Sequence, residues 1–214
     1  MNRRMWYYFM LNVKKMSFLV FICFLFFIPN SIFAQEILHN GSQGQAVYDL
    51  QENLKKMGYF NSQPTGYYGS ITDHAVKQLQ QDSGILPDGV FGFQTQQKLN
   101  SIEMMARVVY GEARGETYEG KVAVAAVILN RMSTPGFPKN TYDVIFQTNA
   151  FTAVHDGQYY LTPNSYSYRA VIDALQGWDP THGSVYYYNP FLATDEWIFT
   201  RKTVIRIGNH LFAK

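Results

Sequence analysis

The chain has 214 residues and a formal net charge of +2, with 47% hydrophobic and 16% charged residues. That balance fits a globular protein of one or two domains, and it excludes both a polybasic nucleic-acid binder and a highly charged disordered tail. The single cysteine, Cys23, falls in an apolar N-terminal stretch.

In that stretch Arg3, Arg4, Lys14 and Lys15 precede "FLVFICFLFFI", and "PNSIFA" follows before "QE". A basic start, a short apolar core and the small residue Ala34 read as a secretory signal peptide over residues 1–34. The core is shorter than the roughly 20 residues a spanning helix needs, so no stable membrane span is expected after cleavage. Cys23 leaves with the signal, and the mature chain then has no thiol for disulfides, nucleophilic catalysis or metal binding. About 180 residues remain, enough for two modest domains with real hydrophobic cores.

Next comes "AVYDLQENLKKMGYF", where Val47, Leu50, Leu54 and Met57 recur at helical spacing until Gly58 ends the pattern. One unit then appears twice, "GYYGSIT" from 66 and "GVFGFQT" from 89, a period of 23 residues. The glycines permit tight loops, the aromatics plug each loop onto the core, and Thr72 and Thr95 are placed to cap the following helices. "HAVKQLQQDSG" supplies a second helix and "TQQKLNS" begins a third.

This pattern resembles the peptidoglycan-binding domain type 1, a three-helix module, across residues 41–100. Thr65 stands where that family usually has Asp, and Leu79 where it usually has Phe. The glycines and aromatics suffice to hold a small bundle together, so binding is assigned to the module and not to single side chains. Asn100 to Glu103 reads as a brief hinge to a second domain at 101–214, which sets the first at 35–100.

In the second domain Ile102, Met105, Val108, Val109 and Glu112 share one helical face, so Glu112 ends an apolar stripe. Desolvation there raises a carboxyl pKa, as a general acid near neutral pH requires. The alternative is that Gly111 has already opened the helix and Glu112 points to water. Gly115 breaks the pattern, and "ETYEGKVAVAAVILNRM" starts a helix so apolar that burial on most sides is expected. Glu116 and Glu119 lie at its N-terminus, where the helix dipole favours ionised carboxylates.

Beyond "FPKNTYDVIF" the chain is rich in aromatic and amide side chains, a composition suited to stacking on sugar faces and bonding hydroxyls. Thr152, Gln158, Asn189 and Trp197 are candidate groove residues by polarity and place, and Phe151 is a candidate core residue. Tyr186, Tyr187 and Tyr188 also fit a strand with alternating faces. Arg114 is placed to pair with Glu112, with Glu116 or with a ligand. His155, His182 and His210 are widely spaced, so no metal and no cofactor are expected, and no G-x-S-x-G supports serine catalysis.

The segments "ARVVYGEARGETYEGKVAVAAVILNRM", "AFTAV", "GWDPT" and "GSVYYYNP" resemble the catalytic domain of the SleB-type spore cortex-lytic enzymes, from 105 to 212. The resemblance implies a mainly α (α+β) protein, a three-helix peptidoglycan-binding bundle followed by a lysozyme-like domain with a small β element. It implies secretion to the spore cortex and forespore envelope, cortex peptidoglycan as the partner, and room for a spore-protein regulator. It also implies lytic transglycosylase chemistry, with the glutamate ending the first catalytic helix, Glu112, as the acid. Arg114, Glu116, Thr152, Gln158, Tyr187, Asn189 and Trp197 are then the expected substrate contacts. Attack by water instead would require a second acid, for which Glu116 and Asp156 are candidates. The rival readings are an N-acetylmuramoyl-L-alanine amidase, which needs a metal site, and a spore-wall binding protein without turnover.

Overall fold

The structure, a computed structural model, describes residues 36–214; the expected signal segment lies outside the described residues. Among the described residues no helix is long and apolar enough to cross a membrane.

The first module consists of α1 (Gln45–Lys56), α2 (Ser70–Asp82) and the opening turns of α3 (Phe93–Ala113). Val47, Leu50 and Leu54 of α1, Val76 and Leu79 of α2 and Leu99 of α3 are buried in one core, so the positions read at helical spacing do face inward. Gly58 follows α1 with φ +89°, a conformation that costs glycine little.

Thr72 and Thr95 depart from expectation. The N-cap positions are Gly69 and Gly92, and neither threonine caps a helix. Both lie buried within the first turn, where each accepts a hydrogen bond from a buried glutamine of the preceding helix. Gln51 Nε2 donates to Thr72 Oγ1 at 2.8 Å, and Gln80 Nε2 to Thr95 Oγ1 at 3.0 Å. Each glutamine oxygen in turn accepts from a loop glycine, Gly66 N at 3.0 Å and Gly89 N at 2.9 Å. A buried amide must use its donors and acceptors, which explains why glycine and threonine recur together in the repeat. Thr65 takes the place that Asp88 holds in the second copy. Tyr67 N donates to Thr65 Oγ1 at 3.2 Å as Val90 N does to Asp88 Oδ1 at 2.9 Å, so the hydroxyl preserves the turn.

The expected hinge is absent: α3 is a single helix of 21 residues running through Asn100 to Glu103. Neither Gly nor Pro interrupts it before Gly111, and Ile102, Met105, Ala106, Val108 and Val109 bury its second half. The same helix therefore closes the first module and opens the second.

The second module adds α4 (Tyr118–Ser133), α5 (Thr141–Ile145), α6 (Thr152–His155), a 3-10 turn (Gln158–Tyr160) and α7 (Ser165–Leu175). A three-stranded antiparallel sheet follows, from β1 (Tyr186–Tyr188), β2 (Thr203–Ile207) and β3 (His210–Ala213), with β3 central and α8 (Glu196–Phe199) between β1 and β2. Every residue of α4 from Gly120 to Ile128 is buried. Val122, Val124, Ala125 and Ile128 belong to the helical core shared with α3 and α7, while Ala123 and Val127 pack on Ile207 and Phe212 of the sheet. Two packed faces account for an apolar run without a polar side.

The end of α4 also fixes where β1 begins. Asn130 Nδ2 donates to Asp179 Oδ2 (3.0 Å) and to the Ser184 carbonyl (3.0 Å), and Arg131 Nε donates to the Val185 carbonyl (2.8 Å). Asp179 further accepts from the backbone N–H groups of Thr181 (2.8 Å) and Gly183 (2.7 Å). Register then sets Tyr187 opposite Phe212 on β3.

Candidate active site

Gly111 does not open the helix: α3 continues through Glu112 to Ala113. A Cβ on Gly111 would lie 2.5 Å from the Ala153 Cβ, so glycine is what lets α6 approach this closely. The approach brings the Ala153 N–H to Glu112 Oε1 at 2.6 Å. Glu112 is half-buried, and burial raises its pKa above the ordinary carboxylate value; the Asp156 charge adds to the rise. The Ala153 and Thr152 N–H groups and the Tyr187 hydroxyl pull the other way without cancelling the effect.

Glu112 opens onto a cavity of about 590 Å³ whose walls include Arg131, Phe151, Thr152, the three tyrosines of β1 and Trp197. Phe151 is buried, as expected of a core residue. Trp197 is 47% exposed, its ring perpendicular to that of Tyr186 (centroids 5.2 Å apart) and the Arg201 guanidinium 4.4 Å from its ring centre. The strand reading of the tyrosines holds, and its faces differ. Tyr187 packs on Phe212 and His210, whereas Tyr186 and Tyr188 meet Trp197 and Phe199 of α8.

Of the expected contact residues, Thr152, Tyr187 and Trp197 line the cavity with Glu112. Arg114 is exposed just beyond α3, its guanidinium 5.9 Å from the Tyr110 ring centre. Gln158 bonds Asp156 through its backbone N–H (3.0 Å) and its side-chain amide (2.5 Å), and these two bonds hold the Asp156 carboxyl below its usual range. The Asn189 side chain accepts from Phe191 N (3.0 Å) in the turn after β1.

Glu116 does not line the cavity and joins distant parts of the fold. Its carboxylate accepts from Asn209 N (3.1 Å) and Asn209 Nδ2 (2.9 Å), with His210 Nδ1 at 3.9 Å, in the turn between β2 and β3. Burial alone would raise its pKa, but the two Asn209 bonds, His210 and Lys121 outweigh that and lower it. A group with a depressed folded pKa stabilises the fold above its unfolded value and loses that contribution as pH falls through the folded value. Glu116→Gln is accordingly expected to cost about 1–2 kcal/mol near neutral pH while leaving turnover close to wild type. Melting curves across pH check this: the gap between variant and wild type should close below pH 4.5, the ordinary glutamate value.

Arg131 was not among the expected site residues. It is 6% exposed, bonded to the Val185 and Ala150 carbonyls, with its guanidinium 4.8 Å from the Phe151 ring centre. The available signal was a cation directly after the apolar run Val122–Leu129 and its Asn130. Asp195, the cavity's other carboxyl, is exposed and accepts from Trp197 N (2.9 Å) as the cap of α8. Among the described residues no three His, Asp or Glu side chains are grouped to hold a metal.

Comparison with known proteins gives first the class. Residues 115–213 match the family described as Cell Wall Hydrolase, starting just past Glu112, and residues 43–99 match a peptidoglycan binding domain. A spore cortex-lytic enzyme of Bacillus cereus is 38% identical, over 85% of this chain and 88% of the relative. One from Bacillus subtilis is 31% identical, over 86% and 91%. The catalytic domain of germination-specific lytic transglycosylase SleB from Bacillus anthracis superimposes with a TM-score of 0.52 at 57% identity, covering 54% of this chain and 94% of that one. The chain belongs to the spore cortex-lytic enzyme family.

Proposed function

We propose that this protein is secreted to the spore envelope and cleaves cortex peptidoglycan between N-acetylmuramic acid and N-acetylglucosamine. It acts as a lytic transglycosylase with Glu112 as acid and then base. The observation that carries this reading is one half-buried carboxyl of raised pKa, Glu112, facing a cavity whose only other carboxyl among the described residues, Asp195, is exposed and caps a helix.

The protonated Glu112 donates to the glycosidic oxygen, and the bond from that oxygen to the muramoyl anomeric carbon breaks. The resulting carboxylate then takes the proton of the muramoyl C6 hydroxyl as its oxygen bonds to the anomeric carbon, which gives a 1,6-anhydro end. Glu112 regains its proton, and no second carboxylate is needed because the substrate supplies the nucleophile. Trp197 and the tyrosines offer faces for sugar rings, Thr152 and the 147–150 segment offer polar groups, and the N-terminal module supplies attachment to the wall.

Mass spectrometry of fragments released from cortex peptidoglycan tests the mechanism. The expected products carry anhydro-muramoyl ends. Reducing muramic acid ends would instead mean attack by water and would direct attention to Asp195 as the base. Released peptides with intact glycan would support amidase action, and binding without soluble fragments would support a wall protein without turnover.

A further inference from the structure

Tyr187 has a buried hydroxyl that makes no well-formed hydrogen bond. Its ring is only half-buried, so the hydroxyl is the enclosed end of the side chain. The hydroxyl is close enough to the Glu112 carboxyl to act on it as a donor, lowering the Glu112 pKa while its own rises, but the pair falls short of a well-formed hydrogen bond. A buried donor left unpaired costs free energy and calls for a reason.

We propose that the Tyr187 hydroxyl is a donor held for the Glu112 carboxylate that exists only after the glycosidic oxygen has been protonated. Tyr187 is then a positioning residue for the change of Glu112 from acid to base. The proposal rests on the reading of Glu112 given above. In the resting site burial favours the neutral form of Glu112, and its Oε1 accepts from Ala153 N. Loss of the proton creates a charge on two oxygens, and a hydrogen bond to a charged acceptor is about twice as strong as a neutral one. Tyr187 keeps its own proton throughout, since burial and the adjacent carboxyl raise its pKa well above the ordinary tyrosine value.

Other groups nearby are poorly placed for this role. Arg131, from α4, is tied to the Val185 and Ala150 carbonyls. His210, from β3, meets the Tyr187 ring at 5.3 Å, and burial lowers its pKa against the pull of Glu116. Asp156 repels the Glu112 charge. Tyr187→Phe keeps the ring against His210 (5.3 Å), Phe212 (5.7 Å) and Phe151 (6.4 Å) and removes only the donor.

The test is kcat and kcat/KM against pH for wild type and Tyr187→Phe on cortex fragments. Without the donor Glu112 holds its proton more tightly, so the limb on which kcat/KM falls with rising pH should move up by about one pH unit. Turnover should fall about tenfold, with KM little changed, because the carboxylate intermediate loses a hydrogen bond. An unmoved limb, or a change in KM alone, overturns the proposal. If the Phe variant does not fold, 3-fluorotyrosine at position 187, a stronger donor of nearly the same shape, should move the limb downward; no movement there also overturns it. A Glu112→Gln enzyme that still cleaves removes the underlying reading. An inactive Glu112→Gln beside a Tyr187→Phe enzyme of unmoved limb removes only this inference.

Discussion

Glu112→Gln should lower the rate of fragment release from cortex peptidoglycan by about 10²–10⁴-fold, the usual contribution of a positioned general acid. Gln keeps the shape and retains an oxygen for the Ala153 N–H, now 2.6 Å from Glu112 Oε1, but it has no proton to give at neutral pH. Stability should move the opposite way. Burial raises the Glu112 pKa, so this carboxyl contributes fully to stability only below its ordinary value of 4.5, and the contribution is lost as pH rises through the folded value. The neutral amide avoids that loss, and the melting temperature of the variant near neutral pH should equal or exceed that of wild type. Lost activity with retained or raised stability separates a missing proton from a damaged fold. Release of fragments at near wild-type rate would exclude Glu112 as the acid.

The second large effect is expected from a residue with no chemistry of its own. In Gly111→Ala the added methyl group meets the Ala153 Cβ at 2.5 Å, and the backbone of α6 has to retreat. Retreat lengthens the bond from Ala153 N to Glu112 and shifts Thr152 at the cavity wall. A displacement near 1 Å at a reacting group costs about a hundredfold, so kcat/KM should fall by roughly 10–100-fold. The stability change should be smaller than the activity change suggests. Alanine gains about 1 kcal/mol over glycine within a helix, against about 1–3 kcal/mol for overpacking. Steady-state kinetics and calorimetry on the same preparation check both parts, and an enzyme of unchanged kcat/KM would show that the close approach of α6 is dispensable.

These expectations draw on features of unequal visibility in the sequence. Glu112 could be placed because a three- and four-residue apolar rhythm is local and runs straight into it. The repeated glycine loops were legible for the same reason. The partners of Thr72 and Thr95 were not, because the glutamines that bind them come from the preceding helices, 21 and 15 residues away. Capping was a reasonable reading of threonine beside glycine, but glycine itself holds the cap position. The hinge at Asn100 to Glu103 was placed where one resemblance ends and the next pattern begins, although nothing there breaks a helix, and the packing of Ile102 and Met105 carries α3 through. Arg131 and Glu116 owe their roles to distant segments: Val185 lies 54 residues from the first, and Asn209 lies 93 residues from the second. Spacing along the chain carries no trace of such contacts.

The unbroken α3 has a mechanical consequence. Thr95, bonded to Gln80 of α2 and to the Val90 carbonyl of the repeat loop, and Glu112 stand on one rod about 25 Å apart along its axis, at 1.5 Å per residue. Each residue inserted or removed between them would also turn Glu112 by about 100° around that axis. A flexible tether lets a docked module sample many bonds at an effective concentration set by its length. A rod offers one reach and one heading, so on the proposed reading attachment would serve only wall positions in register with the anchor and would hold Glu112 away from all others.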